Sequence, residues 1–240
     1  MSSLTIEQYL ALSQFAHNDF SQTDVNNQLT ISQILTDPNR EIEHADEPVL
    51  EGLANIGDWK LVNFQSNTAS GFAGTAFQSP TGEIVFTFRG TEPKLFSDPI
   101  QALKDFETDL EIATDTNLSG PSQFDDAFDF WADTMQLVGP GNYTDYSFTG
   151  HSLGGGLAQY MTYITNEVGH SVTFNAVGIG QVLDGVNPSD YNDSITDYVN
   201  QNDVIGQGVC ELGRSFERLR SPSKVLRRPF SSKKDLIFAS

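Results

Sequence analysis

The stretch "YSFTGHSLGGGLAQYMTY", residues 146–163, joins a short apolar strand pattern to a glycine-rich turn around one serine. The strand pattern ends at Gly150, and a helical pattern of apolar residues begins at about residue 153. Gly150, Ser152 and Gly154 therefore form a G-x-S-x-G motif at a strand-to-helix junction. A nucleophile elbow needs this context, because its sharp turn strains the serine and leaves little room for neighbouring side chains.

The helix after the serine gives a second reason to expect chemistry at this turn. The first N–H groups of a helix have no intrahelical partner and carry a partial positive charge, which favours an anion beside them. Gly155 extends the run of small residues that lets the strand and the helix approach each other. We therefore predict that Ser152 is a nucleophile. The alternative is a glycine-rich turn that contains a serine by chance.

The composition is that of a folded globular protein. The 240 residues include 38% hydrophobic residues and 17 Phe, which suffices for one large domain. No run approaches the roughly 18 consecutive apolar residues of a membrane span. The start "MSSLTIEQYL" lacks the basic and apolar regions of a secretory signal. This fits both a cytoplasmic protein and one exported by a signal-independent bacterial route, so the sequence leaves the compartment open. Cys210 is the only cysteine, which excludes internal disulfides.

Charge is distributed unevenly along the chain. The net charge of −19 argues against a nucleic-acid partner and against anionic membrane surfaces for the main body. Residues 212–240 hold eight of the 13 Lys and Arg residues but only two acidic ones, a net of +6 that leaves −25 for residues 1–211. We expect a single domain over residues 1–208 and an atypical basic tail over 209–240. The tail is either a disordered, frame-shifted or fused continuation, or a basic arm that binds anionic lipid or a partner.

Hydrophobic periodicity divides the chain into helices and strands. The N-terminal segment, residues 1–57, is predicted to be helical: an amphipathic helix over Thr5–Phe20 starts with a capping box of Thr5 and Gln8, and a short helical run lies near Ile31–Leu35. Beyond it, strand patterns alternate with helical ones, which predicts an α/β fold with a mainly parallel central sheet flanked by helices. The predicted strands cover 59–65, 72–78, 83–89 (after a hairpin turn at 79–82), 145–150, 171–177 and 194–200, and the predicted helices cover 99–113, 121–138 and 153–166.

A second motif precedes the serine turn, at the end of the strand pattern "IVFTFRGTEP" (84–93). Together with "FTGHSLGGGLAQ" (148–159), it resembles the class 3 lipase family of α/β-hydrolases, which includes the fungal triacylglycerol lipases. The resemblance covers roughly residues 59–206 and implies the α/β-hydrolase fold. It also implies that Thr91 helps to form an oxyanion hole. By general elbow geometry, the second donor of that hole is the backbone N–H of Leu153.

Two features around this second motif have alternative interpretations. Arg89 is also suited to a structural ion pair with an acid in residues 104–111, a role that is compatible with an oxyanion role for Thr91. The resemblance implies an amphipathic lid after the oxyanion loop, and residues 92–103 carry suitable apolar side chains. An ordinary surface helix has the same period, so periodicity does not separate the two interpretations.

The acid of an α/β-hydrolase triad follows the serine, and the histidine follows the acid. The best acid downstream of Ser152 is Asp203 in "YVNQNDVIG" (198–206), because it follows a strand pattern directly and would lie at the carboxyl edge of the sheet. This segment also resembles the N-x-x-D pattern that the family carries here. Asp184 is the alternative acid, and either residue is also interpretable as a surface aspartate of a very acidic chain.

None of the four histidines follows Asp203, so the base of the triad is missing from its expected place. His151 belongs to the turn itself, and we expect its ring to point away from the serine hydroxyl. His170 precedes a strand at the amino edge of the sheet. His17 lies on the N-terminal helix, and His44 lies in an acidic loop. We predict that none of them is the base, and the loss of a triad histidine typically lowers turnover by ~10⁴–10⁶.

The sequence therefore favours a serine carboxylic-ester hydrolase of the class 3 lipase type, a triacylglycerol lipase or phospholipase-like enzyme that forms an acyl-enzyme on Ser152. Asp203 would orient the base, and the amides of Thr91 and Leu153 would stabilise the oxyanion. This chemistry needs no metal or cofactor. The expected partner is a lipid or other acyl-ester substrate, which the protein would bind during transient contact with a lipid interface. The missing histidine favours the alternative, a catalytically inactive α/β-hydrolase scaffold that binds lipid or a partner. An acyltransferase is a third interpretation.

Overall fold

A computed structural model describes residues 4–43, 46–90, 122–165, 169–177 and 194–200, together with two strands at 217–218 and 225–229. None of the described helices is both long and apolar enough to cross a membrane. The predicted helix at 99–113 lies outside the described residues. The helices are α1 (Ile6–Phe15), α2 (Gln22–Asn26), α3 (Ile31–Leu35), α4 (Glu47–Ala54), α5 (Gln123–Val138) and α6 (Leu153–Ile164). The strands are β1 (Lys60–Gln65), β2 (Gly74–Gln78), β3 (Glu83–Phe88), β4 (Asp145–His151), β5 (His170–Phe174), β6 (Ile195–Asn200), β7 (Glu217–Arg218) and β8 (Val225–Pro229).

The described strands form one sheet in the order β1-β2-β3-β4-β5-β6-β8-β7. Strands β3, β4, β5 and β6 run parallel to one another, and antiparallel strands extend the sheet on both sides, β2 and β1 beyond β3 and β8 and β7 beyond β6. Parallel neighbours need crossover connections, and α5 lies in the connection from β3 to β4 as α6 does in that from β4 to β5. The predicted α/β fold, with a parallel centre flanked by helices, is confirmed.

The alternation of side chains along β3 divides the interior into two buried cores. Phe86 and Phe88 face a core that α5 and α6 cover, whereas Val85 faces a core that α1 and α4 cover. Phe88 stacks on Phe148 of β4 with ring centroids 6.1 Å apart. On the other side, Phe15 of α1 is buried in the second core. Helices thus cover both faces of the parallel strands, and the connections at the strand ends remain available for a site.

Helix α1 begins with the predicted capping box. Thr5 Oγ1 accepts the N–H of Gln8 at 3.3 Å, and Gln8 Oε1 accepts the N–H of Thr5 at 2.8 Å. The prediction that this helix continues to Phe20 is wrong, because α1 ends at Phe15. Nδ2 of Asn18 donates to the carbonyl of Phe15 at 3.0 Å, which satisfies a helix-end carbonyl that another helical turn would have used.

The outer strands join the parallel centre through antiparallel pairing. The predicted hairpin turn at 79–82 connects β2 to β3: the N–H of Ser79 donates to the carbonyl of Glu83 at 2.8 Å, and Gly82 adopts a φ of 93°, which favours glycine. On the far side, β8 pairs with β6 so that Arg228 lies opposite Asp197. Residues of the basic tail thus extend the sheet beyond β6.

Candidate active site

Ser152 lies at the turn between β4 and α6, in the strand–turn–helix context that the motif predicts. Its backbone adopts a φ of 56° and a ψ of −123°, a conformation that residues other than glycine rarely adopt. Such strain costs on the order of 1–3 kcal/mol and persists only where the surrounding structure enforces it. The side chain is half-buried and makes no capping hydrogen bond to α6. Its hydroxyl therefore does not accept a hydrogen bond from the first amides of that helix.

Glycines permit this turn because the backbones around it are in contact. A Cβ at Gly150 would lie 2.4 Å from the carbonyl oxygen of Gly154, and a Cβ at Gly154 would lie 2.1 Å from the carbonyl oxygen of Phe88. Gly155 packs on the segment after β5, where an added Cβ would lie 2.7 Å from the Cβ of Ala176. The predicted need for minimal side chains around the serine is confirmed at all three glycines.

Residues 174–177, which follow β5, hold the backbone of Ser152. The N–H of Ser152 donates to the carbonyl of Phe174 at 3.0 Å, and the carbonyl of Ser152 accepts the N–H of Val177 at 3.2 Å. The sequence predicts a strand up to residue 177, but β5 ends at Phe174. The strand ends early because Asn175 adopts a left-handed φ of 46°, and this bend lets the segment bond to the serine turn from both sides.

The N-terminal end of α6 supplies positive potential beside the serine. Its first turn contains no acidic residue, so no carboxylate within that turn opposes the helix dipole. The N–H groups of a first helical turn have no acceptor within the helix. Leu153 is the first residue of α6, and its buried side chain packs in the core that α5 and α6 cover. The amide predicted to be an oxyanion donor is therefore anchored directly after Ser152.

Strand β3 ends beside the serine turn. A Cβ at Gly90 would lie 2.6 Å from the carbonyl oxygen of His151 and 3.5 Å from the Cβ of Ser152, so the two backbones are in contact. Thr91, the other predicted oxyanion donor, is the next residue and lies outside the described residues, as does the predicted lid at 92–103. Gly90 is not among the site residues predicted from the sequence, although the F-R-G-T motif contains it.

Two described contacts place Arg89 at the end of β3. Its backbone N–H donates to the carbonyl of Ala73 at 3.0 Å, and its Nη2 donates to Oδ1 of Asn67. The acids predicted as its ion-pair partners, in residues 104–111, lie outside the described residues. The described contacts therefore tie Arg89 to the connection between β1 and β2.

The candidate acid Asp203 and its alternative Asp184 lie outside the described residues. The parallel strands β4, β5 and β6 are in register at their carboxyl ends, so these ends share the edge that carries Ser152. β6 ends at Asn200, three residues before Asp203. The chain thus leaves the sheet on the serine side shortly before the candidate acid.

Within the described residues, no histidine is hydrogen-bonded to the hydroxyl of Ser152. Nε2 of His151 lies 3.5 Å from Nδ2 of Asn175, a contact on the β5 side of the turn. His17 is buried just beyond the end of α1. His44 lies outside the described residues.

His170 lies at the amino edge of the sheet, as predicted. It is the first residue of β5 and pairs with Ser147, so most of β4 separates it from Ser152. Its Nε2 is 2.9 Å from the hydroxyl of Tyr9, which donates to Oγ of Ser147 at 2.9 Å. Burial lowers the pKa of His170, although the charge of Asp145 opposes the shift. This imidazole therefore joins α1 to the sheet.

A groove of about 570 Å³ lies between α5 and β1, and Ser152 is not among the residues that line it. Much of its lining consists of acidic and amide side chains, so it differs in character from the surroundings of the serine turn. Those side chains are Gln22, Asn63, Gln65, Asp126, Asp129, Asp133 and Gln136.

Solved structures of lipases resemble this fold. The triacylglyceride lipase of Rhizomucor miehei is 15% identical, with a TM-score of 0.52 over 93% of this chain and 83% of the lipase. Lipase II of Rhizopus niveus is 13% identical, with a TM-score of 0.53 over 95% of this chain and 85% of the lipase. A triacylglycerol lipase whose catalytic centre is a serine protease triad is 15% identical, with a TM-score of 0.50 over 100% of this chain and 92% of the lipase. At these identities the likeness shows the fold alone.

The family comparison spans the serine turn. No curated protein sequence matches the chain. The phospholipase-like family of Tle-like phospholipase domains matches residues 42–206, which include β1 to β6 and the turn that carries Ser152. This match and the lipase-like fold identify a lipase-type hydrolase domain, and they confirm the resemblance to class 3 lipases. The chain therefore belongs to the phospholipase-like family of Tle-like phospholipase domains.

Proposed function

We propose that this chain is a carboxylic-ester hydrolase that acts on lipid esters through an acyl-enzyme on Ser152. The observation that carries the proposal is the backbone of Ser152, strained at a φ of 56° and a ψ of −123° between β4 and α6. A nucleophile elbow uses such a turn to project the serine hydroxyl towards its substrate. Membership of a phospholipase-like family supports an ester of a lipid as the substrate.

The proposed acylation step needs three groups. Oγ of Ser152 forms a bond to the ester carbonyl carbon while its proton passes to a base, and the carbonyl oxygen becomes an oxyanion. The N–H groups of Leu153 and Thr91 stabilise that oxyanion, and one such donor is typically worth ~10²–10³ in turnover. The contact between Gly90 and the serine turn supports the role of Thr91, because it brings the preceding residue beside Ser152.

The second half of the reaction repeats these roles. Collapse of the tetrahedral intermediate breaks the bond to the alcohol, which takes up the proton from the base. Water then attacks the acyl carbon and gives a proton to the same base. The bond between the acyl carbon and Oγ of Ser152 breaks, Oγ takes the proton back from the base, and the carboxylic acid is released. We propose that Asp203 orients that base, in keeping with the order of triad residues along the chain.

The base is the part of this mechanism that the sequence does not supply in its expected place. No histidine follows Asp203 in the 240 residues, and no described histidine bonds to Ser152. The loss of a triad histidine typically lowers turnover by ~10⁴–10⁶. We therefore expect slow acylation, which the turn and its amides still favour over the reaction in water.

Covalent labelling tests the nucleophile directly. A fluorophosphonate probe should modify the short chymotryptic peptide that contains Ser152 and lies between Phe148 and Tyr160, as detected by mass spectrometry. The protein should also release fatty acid from triacylglycerol or phospholipid emulsions. Ser152→Ala is the matched control, because it removes only the hydroxyl oxygen. Both signals should vanish in this variant, and labelling or turnover that stays unchanged would overturn the proposal.

The absence of a histidine after Asp203 favours a second candidate, a catalytically inactive scaffold that binds lipid. This candidate predicts saturable binding of a fluorescent fatty acid, with equal affinity in the parent and in Ser152→Ala, and no labelling by the probe. Lipid turnover that depends on Ser152 would rule it out.

A further inference from the structure

A carboxylate lies at a position of the sheet that an apolar side chain would ordinarily fill. Asp197 of β6 is 0% exposed and shares one face of the strand with two other buried residues, Ile195 and Val199. Charged side chains are almost never fully buried unless they are paired or hydrogen-bonded, because burial removes their hydration. The contacts of Asp197 therefore indicate why an acid is placed here.

Oδ1 of Asp197 accepts hydrogen bonds from two groups in and after β5. The hydroxyl of Thr173 donates at 3.0 Å, and the backbone N–H of Ala176 donates at 3.3 Å. Nε2 of Gln159 on α6 in turn donates to Thr173 at 3.2 Å. The carboxylate thus connects β6 to the end of β5 directly and to the helix of the serine turn through Thr173.

The bond to Ala176 falls in the segment that supports Ser152. Phe174 and Val177, the outer residues of 174–177, bond to the N–H and the carbonyl of Ser152. The inner residues bond instead to β6: the N–H of Asn175 donates to the carbonyl of Tyr198 at 2.9 Å, and the N–H of Ala176 donates to Asp197. The segment is therefore attached to β6 at two points. The carbonyl of Tyr198 is a backbone group that any residue would provide, whereas the carboxylate of Asp197 is a particular side chain.

We propose that Asp197 is a positioning residue for Ser152. Its carboxylate fixes the amide of Ala176, and through residues 174–177 it holds the strained backbone from which the serine hydroxyl projects. This inference rests on the proposed function, in which that hydroxyl is the nucleophile. A misplacement of about 1 Å in reacting groups can lower a rate by roughly 10²-fold, so the anchor matters for rate even where the fold does not depend on it.

Three variants separate positioning from general stability. Asp197→Val fits a buried strand but leaves the buried Ala176 N–H without its acceptor, which should lower the melting temperature. Asp197→Asn keeps an oxygen that can accept the Ala176 N–H. Thr173→Val removes the other donor to Asp197 and leaves the Ala176 bond in place.

The readout is the rate constant for fluorophosphonate labelling of Ser152, measured beside the melting temperature. At a temperature well below the melting temperature of every variant, Asp197→Val should label about 10- to 100-fold more slowly than the parent. Asp197→Asn and Thr173→Val should stay within about threefold of the parent. Equal labelling rates in the parent and Asp197→Val would overturn the inference, as would equally slow labelling in Thr173→Val, which also removes a buried hydrogen bond to Asp197.

Amide hydrogen exchange gives an answer that does not depend on activity. In Asp197→Val, the amides of residues 152–156 and 174–177 should exchange faster than in the parent, whereas Asp197→Asn should retain the parent's protection. Unchanged exchange in Asp197→Val would overturn the positioning role even in an active protein. If the parent itself fails to label, the proposed function fails, and the exchange comparison still decides whether Asp197 holds the turn.

Discussion

At the scale of single residues, backbone contacts balance the strain at Ser152. Gly154 lies against the carbonyl of Phe88, and Gly150 lies against Gly154. The serine bonds on its other side to residues 174–177. Three chain segments therefore meet without intervening side chains, and the position of the hydroxyl depends on atoms that cannot move unless sheet hydrogen bonds break. Glycines at such contacts should tolerate substitution poorly.

Gly154→Ala tests this contact. The added Cβ would lie 2.1 Å from the carbonyl oxygen of Phe88, and this backbone group cannot rotate away. The loss of unfolding free energy in urea should exceed the roughly 3 kcal/mol that bounds most substitutions. Gly141→Ala is the control: its Cβ meets no atom within 4 Å, and its φ of 84° should cost only about 1–2 kcal/mol. Equal losses in the two variants would show that the contact is unimportant.

The proposed mechanism predicts chemical rescue by imidazole, because no histidine follows Asp203 in the 240 residues. Added imidazole should accept the proton of Ser152, so labelling or ester hydrolysis should rise by at least about 10-fold, a small part of the ~10⁴–10⁶ that a triad histidine typically supplies. Ser152→Ala in the same buffer is the control, because imidazole itself cleaves reactive esters. A rate that depends on Ser152 and that imidazole does not change would show that a group of this chain already serves as the base.

The sequence predicts the serine turn and its glycines because both lie within one continuous motif. It does not predict the contributions of Gly90 and Asp197, since these depend on contacts between segments that are far apart in the chain. The signal for Asp197 was present as one acid within the strand pattern 194–200, but its burial becomes evident only when β5 and β6 pair.

At the scale of elements, polar contacts as well as apolar packing attach α1 to the sheet. The hydroxyl of Tyr9 bonds to Ser147 and to His170 at the amino edge. The hydroxyl of Thr149, which donates to the Val172 carbonyl at 2.7 Å, also lies 3.4 Å from the Tyr9 carbonyl. Two of these groups belong to β4, whose other end leads into Ser152. Helix α1 therefore buttresses the strand that carries the serine turn.

This attachment should weaken in mild acid. Burial lowers the pKa of His170 below its ordinary value of 6.5, with nearby Asp145 and Glu83 opposing the shift. The unfolded chain then takes up a proton more readily than the folded one, so the contribution of His170 is complete above about pH 6.5 and is lost as the pH falls below it.

Urea midpoints of the parent and of His170→Gln, measured from pH 7.5 to 5, check this prediction. The parent should lose stability more steeply, because the other titrating groups are common to both proteins. Parallel curves would contradict it.

The capping box of α1 gives a prediction that the sequence alone already suggested. Thr5→Ala removes the side chain that accepts the N–H of Gln8, and it should lower the unfolding free energy by about 1 kcal/mol. Thr36→Ala, at an exposed hydroxyl after α3, should change it by less than about 0.5 kcal/mol. Circular dichroism in urea measures both, and an equal effect would indicate that the cap adds nothing.

Element positions follow from local periodicity, and element ends do not. The strand and helix patterns around Ser152 predict β3, β4, α5 and α6 closely. The ends of α1 and β5 are missed because a side-chain bond from Asn18 and a left-handed Asn175 override the period. Both exceptions involve asparagine, which forms local hydrogen bonds and accepts positive φ more readily than most residues.

At the scale of the whole molecule, charge is the dominant global property. The net charge of −19 makes the folded state repel itself, and among the described contacts the ion pair of Arg40 with Asp24, at 2.8 Å, relieves little of it. The basic residues lie mainly in the tail, where β8 and β7 extend the sheet from β6. The sequence predicts the charge division, but the pairing of β8 depends on long-range contacts that periodicity does not reveal.

Salt should therefore stabilise the protein. An increase from 10 to 200 mM NaCl shortens the screening length from about 30 to below 10 Å, so self-repulsion weakens and the melting temperature at pH 7 should rise. The matched measurement is at pH 5, nearer the isoelectric point of about 4.3, where the same increase in salt should have a smaller effect. A melting temperature that falls with salt at pH 7 would show that favourable ion pairs outweigh repulsion.

The backbone contact between Gly154 and Phe88 also bears on protein engineering. In saturation mutagenesis with selection for soluble protein, nearly all selected variants should carry glycine at position 154. Any other amino acid would add a Cβ where the carbonyl oxygen of Phe88 already lies. Designers who wish to retune this domain should therefore leave the turn unchanged and diversify the periphery.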